Sequence, residues 1–259
     1  MKNRERHFPS GVGGAHRLLA RRYHMYWVLL LSALGGTAVI RLLLPAGWQK
    51  AAGILWAMFI TCQSRAFAAG IAAVEKENGL ISALYISGVK SGRFYLSLFL
   101  TGFAASIMCG AFVLWFSDPA VLAFGFGGIQ WNTFLAGDLN RFLMGLLSLL
   151  LTHLCMSGLA MIPVSLSSTF SGCTMGVYFL TALYLGPAVW DVFFPLAGAW
   201  CFHPGVCSFW TAFRTQQLEA GTVPAHYAAL CLTGFIFLSQ MIGFLYAKRM
   251  FSGKGAAGR

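Results

Sequence analysis

AAGILWAMFITCQSRAFAAGIAAV, residues 51–74, runs directly into EKENGLISALYISGVKSGR, residues 75–93. The first stretch has 24 residues and a single charge, Arg65. About 20 mostly apolar residues suffice for a helix to cross the hydrocarbon core of a bilayer. The second stretch opens with Glu75, Lys76 and Glu77, turns at Gly79, and then places Leu80, Leu84 and further apolar residues at helical spacing. That pattern predicts a short amphipathic helix on the membrane face, joined rigidly to a span on each side. A partner with a hydrophobic cleft could grip it and move both spans together. A plain loop lying on the lipid surface fits the same residues.

Outward from this pair, five more apolar runs have spanning length: 25–44, 94–116, 139–165, 175–194 and 228–247. Trp27 and Trp48 stand near the ends of the first, and Ser117-Asp118-Pro119 closes the third, because proline cannot continue a helix and disfavours helical backbone before it. The fold expected is an all-α membrane bundle of six spans. Composition agrees: 58% of the 259 residues are hydrophobic, only 10% are charged, and the mean hydropathy is +0.71. A soluble domain carries roughly 25% charged residues. So few charges cannot cover a water-facing surface, and 23 Phe and 8 Trp suit lipid contact and interfacial belts.

The net charge of +11 raises the question of nucleic acid, but the cations fall at the ends of apolar runs and form no stripe among aromatics. Membrane topology explains them better. Thirteen Lys and Arg lie in the N-terminal segment, in the connection after the second span and in the C-terminal tail. Four (Arg41, Lys50, Arg141 and Arg214) lie on the opposite side. The rule that cytoplasmic flanks are basic puts both termini in the cytoplasm, which requires an even number of spans. Residues 1–24 are then a cytoplasmic tail whose stretch 15–24, AHRLLARRYH, reads as an interfacial amphipathic helix. Residues 25–247 form the membrane domain, and 248–259 a Gly-rich cytoplasmic tail. The apolar connection 191–226 is too long for a plain loop and is expected to hold short helices packed inside protein.

A few polar residues inside the spans are candidates for a path. Arg65 costs about 2.5–3.5 kcal/mol on insertion scales, so it must face protein or water. With Gln63 beside it, it could line a cavity for a polar or anionic substrate, or bond neighbouring carbonyls. His153 in the fourth span has no second His at i+4, which favours a helix–helix hydrogen bond over a metal or haem ligand. Cys201 and Cys207 lie on the non-cytoplasmic side, where a disulfide is permitted. The seven cysteines form no C-x-x-C pair and no zinc-finger spacing, so no metal or other cofactor is expected. All seven acids, Glu5, Glu75, Glu77, Asp118, Asp138, Asp191 and Glu219, read as outside the hydrophobic centre. That argues against an intramembrane enzyme or redox carrier, which would need paired groups there. No G-x-x-x-x-G-K-[ST] occurs, so any ATPase must be another chain.

The run EKENGLISALYISG, 75–88, resembles the segment between the second and third spans of ABC-2-type transporter permeases. The interfacial N-terminal helix, six spans, cytoplasmic termini and long connection before the last span are also similar to that family. The resemblance implies a plasma-membrane exporter subunit. Its coupling helix would use Glu75, Glu77, Gly79, Leu80, Leu84 and Ser87 against an ABC ATPase, in an assembly of two permeases and two ATPases. One departure is Gly88, where the family often has proline. Gly53-Ile54-Leu55-Trp56 further resembles the start of the second span in the haem-exporter B branch, which implies haem-related export for cytochrome c maturation as a second reading.

Overall fold

A computed structural model describes residues 20, 24–86, 88–117, 139–193, 202–213 and 225–251. In chain order its helices are α1 (Met25–Leu43), α2 (Ala46–Glu77), α3 (Leu80–Ile86), α4 (Ser91–Leu100) and α5 (Phe103–Ser117). Then come α6 (Leu139–Leu159), α7 (Met161–Leu166), α8 (Phe170–Phe193), α9 (Pro204–Phe213) and α10 (Ala225–Phe251). No strand occurs among the described residues. Six spans are long and apolar enough to cross a membrane: Met25–Leu43, Ala46–Glu77, Ser91–Ser117, Phe142–Leu166, Phe170–Phe193 and Ala229–Phe251. The chain is therefore an all-helical protein of multi-pass membrane type. The expected N-terminal interfacial helix lies outside the described residues, apart from Ala20 and His24.

α2 is the spine. Of its most apolar window 78% is buried, against no more than half in any other span. It packs against α1, α5, α6 and α8. Its sequence allows this: Gly53, Ala57, Ala66, Ala68, Ala69, Gly70, Ala72 and Ala73 are all buried. Lipid tails are as apolar as leucine, so spans associate through close van der Waals packing, which small residues permit. The outer helices instead turn Trp27, Leu31, Phe179, Leu230 and Phe237 outward. At 1.5 Å per residue, the 32 residues of α2 extend roughly 48 Å, well beyond a hydrocarbon core of about 30 Å.

Three features correct the expected layout. The third span is two helices, because α4 ends at Leu100 and α5 starts at Phe103 across Thr101 and Gly102. Gly102 has φ +71°, a left-handed value that only glycine adopts freely. The fourth span is also divided: α6 stops at Leu159, and α7 resumes with Pro163, whose missing N–H breaks the hydrogen-bond ladder. Finally, the charged start of the cytoplasmic segment continues α2 through Glu77, and only Leu80–Ile86 is a separate helix.

The connection 191–226 does hold an inward-packed helix. α9 sits among α2, α6, α8 and α10, with 204–210 buried throughout. It is tied to α8 by the Trp210 indole donating to Asp191 Oδ2 at 2.7 Å and by Tyr184 Oη against Ser208 Oγ at 2.8 Å. Asp191, read from sequence as lying in an outer connection, is almost fully buried at the end of α8.

Candidate functional site

The break in the third span leaves carbonyls at the end of α4 short of backbone donors, the Thr101 N–H alone reaching back to Ser97 O and Leu98 O. Arg65 of α2 supplies further donors. Its Nη1 donates to Leu98 O at 3.1 Å and Phe99 O at 2.9 Å, and its Nη2 donates to Thr101 O and, at 3.1 Å, to Ser64 Oγ. Ser64 Oγ in turn donates to Gly102 O at 3.3 Å. A guanidinium suits the place, since its planar fork presents several donors at once to the negative end of a helix dipole. His153 of α6 completes the ring. Its Nε2 donates to Phe99 O at 3.1 Å, and the Phe99 and Phe103 rings meet the imidazole edge-on at 4.8 and 4.6 Å. Since a carbonyl only accepts, Nε2 carries the proton.

Two of the three residues read as a substrate path therefore converge on one carbonyl, Phe99 O, and both act through backbone. Gln63 does not join them. Two residues apart on a helix is about 200°, so its side chain leaves α2 on another face and is half-buried there. Arg65 lies roughly 28 Å from the start of that helix, and a Cβ placed on Gly102 would meet Met25, the first residue of α1.

A second layer ties α4 to α6 and α10. Tyr95 Oη donates to Gln240 Oε1 at 2.8 Å, while Gln240 Nε2 donates to Leu154 O at 2.6 Å and Ser157 Oγ at 2.8 Å. Ser239 Oγ donates to Cys155 O at 2.5 Å. The crossing of α6 and α10 is close enough for this because Gly158 faces Ser239, with room for no Cβ.

Lys76, three turns beyond Arg65, repeats the same device. Its Nζ donates to Val164 O at 3.2 Å and Ser165 O at 2.9 Å, the end of α7. Arg41, at the other end of the bundle, donates through Nε to Phe116 O at 2.5 Å, near the end of α5. Each of these cations covers the carbonyl end of a helix.

The residues read as a coupling helix are divided by the fold. Glu75 is 1% exposed, buried in the last turn of α2, whereas Glu77 is exposed. Gly79, φ +69°, turns the chain into α3, and Gly88, φ +79°, turns it out. Proline, fixed near φ −65°, could not make the second turn. Leu80 is half-buried and Leu84 packs on the core, while Ile86, which sequence reading did not single out, is 84% exposed. Ser87 lies outside the described residues. So does Cys201, whose expected partner Cys207 is buried in α9.

A cavity of about 1000 Å³ opens between α1, α2 and α8, lined by Trp48, Trp56, Phe59, Tyr178, Trp190 and Phe193 among others. None of Arg65, Gln63 and His153 lines it. Only its aromatic, apolar character was readable in advance, from composition. Among the described residues no cluster of His, Cys, Asp and Glu could hold a metal ion. Compared with known proteins, the chain matches no family model, no curated protein and no solved structure.

Proposed function

We propose that this chain is the membrane-spanning permease subunit of an ABC-type exporter, driven by ATP hydrolysed on a separate ATPase chain. The observation that carries this reading is α3. Seven residues are held between two glycine turns, fixed to α2 before and α4 after, with Ala83 and Ile86 exposed. A partner that grips this short helix pulls on both spans at once.

α2 transmits the pull because it runs unbroken from Ala46 to Glu77 and forms part of the wall of the large apolar cavity. Lys76 and Arg65 tie it to α7 and α4, so displacement at α3 reaches the third and fourth spans as well. ATP binding to the partner then shifts the cavity's access from one side of the membrane to the other. Two permeases flank the path, with an ATPase beneath each. The excess of basic residues at the α3 end supports a cytoplasmic side for that end and both termini, as an exporter of the plasma membrane would have them. The cavity's lining favours an apolar or aromatic cargo.

The test is recovery of partners with the tagged full chain from mildly solubilised membranes. A stoichiometric ATPase is expected beside it. Recovery of the intact chain with no ATPase, after crosslinking in the membrane, sinks the reading.

A further inference from the structure

Most cations near the core are already committed: Arg41, Arg65 and Lys76 each cover a carbonyl end. Lys90, Arg93 and Lys248 are not. All three are exposed, and among the described residues none has a side-chain hydrogen bond or ion pair. They converge on one cleft of about 770 Å³ between residues 88–93, the turn and first residues of α4, and the end of α10. Its walls are held together by the Phe94 and Phe251 rings, 5.2 Å apart. No acidic residue lines it. Gly88 and Gly92 leave its floor without side chains, and a Cβ at Gly92 would only just touch Phe244, at 3.6 Å.

The surroundings are those of a membrane boundary. One to two turns inward from Arg93 and Lys248, the exposed residues are apolar: Leu96 and Leu100 on α4, and Met241, Phe244 and Leu245 on α10. A second cavity, of about 500 Å³, starts at the same Arg93 and continues inward along α4 and α5 past Tyr26, Leu96, Leu100 and Ala104. A cationic cleft thus opens into an apolar groove, with Arg93 common to both.

We infer that this is a binding site for an anionic phospholipid of the adjoining leaflet, its phosphate held by Lys90, Arg93 and Lys248 and an acyl chain lying in the groove beneath Arg93. Unpaired cations at the end of spans attract anionic headgroups, each contributing independently near the surface. The groove adds contact along the chain that a free phosphate lacks. The site requires the spans to cross a membrane and does not require the exporter reading. A lipid there sits against the turn that joins α3 to α4, so its presence bears on how α4 moves.

The test is native mass spectrometry of the full chain in detergent, titrated with phosphatidylglycerol or phosphatidylcholine. The unsubstituted chain is expected to prefer phosphatidylglycerol, and K90Q/R93Q/K248Q to weaken that lipid on the order of 100-fold, about fivefold per cation. Ala104→Trp, which fills the groove and keeps every charge, should also weaken it several-fold. Equal binding of the two lipids by the unsubstituted chain overturns the inference. So does millimolar inorganic phosphate displacing the lipid while Ala104→Trp has no effect, since the site is then one for free phosphate. Unchanged phosphatidylglycerol binding in the triple variant, with loss of a co-purifying protein, assigns the cleft to an acidic partner and also overturns it. If the triple variant does not fold, R93Q and Ala104→Trp decide between the same outcomes.

Discussion

Arg65 and Lys76 stand three turns apart on α2, near one face, and each donates to the carbonyl end of a neighbouring helix: Arg65 to α4, Lys76 to α7. The two helices they cover are the halves of spans that the chain interrupts, at Thr101–Gly102 and at Ala160. Broken backbone survives inside a membrane protein only where protein groups satisfy it. Here α2 supplies them at the Thr101–Gly102 break through Arg65, while Lys76 covers the far end of α7 rather than the break at Ala160.

Removing the guanidinium leaves Thr101 O without its donor, whereas Phe99 O keeps His153 Nε2 and Leu98 O keeps the Thr101 N–H. Arg65→Gln is expected to lower stability by about 1–3 kcal/mol, the cost of one buried unsatisfied group. Arg65→Lys should fall between, as one ammonium cannot reach all three acceptors with the geometry of a fork. Thermal unfolding in detergent, followed by helix signal, measures both. A lysine variant as stable as the parent would show that charge alone suffices.

Gly102 is constrained twice, by φ +71° and by Met25 Cε, which a Cβ would approach within 1.8 Å. Gly102→Ala should therefore destabilise by about 1–3 kcal/mol. The second substitution Met25→Ala is expected to restore the part due to the clash and leave the part due to backbone. A double-mutant cycle separates the two, and full additivity would refute the contact.

On α3, the exposed and buried apolar residues should behave oppositely. Ile86→Asp is expected to leave folding and insertion intact while abolishing ATPase recovery. Leu84→Asp should instead destabilise the chain, because Leu84 packs on the core. Equal recovery of the ATPase by Ile86→Asp and the parent would remove α3 from the mechanism.

His203, just before α9, accepts the Gly205 N–H at Nδ1 at 3.3 Å, and burial pushes its imidazole below the usual range. The unfolded chain titrates near pH 6.5 and takes up the proton first, so the stability tied to the neutral form is fully present above about pH 6.5. It is lost as the pH falls toward the lower folded value. Melting at pH 7.5 and pH 5.0 should show a larger drop for the parent than for His203→Asn.

Sequence alone determined the six spans and the direction of their charge asymmetry, because length and hydropathy are local quantities that the bilayer dimension converts directly into helices. It also marked Arg65 as a residue that must face protein or water, and favoured a helix–helix hydrogen bond for His153. It did not reveal the break at Thr101–Gly102, where a lone glycine in an apolar run looks like ordinary span. Nor did it show that Glu75 is buried while Ile86 projects, since that depends on where α2 ends. Which carbonyls Arg65, His153 and Lys76 cover, and which three cations remain to line a cleft, only the packing of distant helices could decide. Partners separated by 33 to 89 residues leave no trace in local pattern.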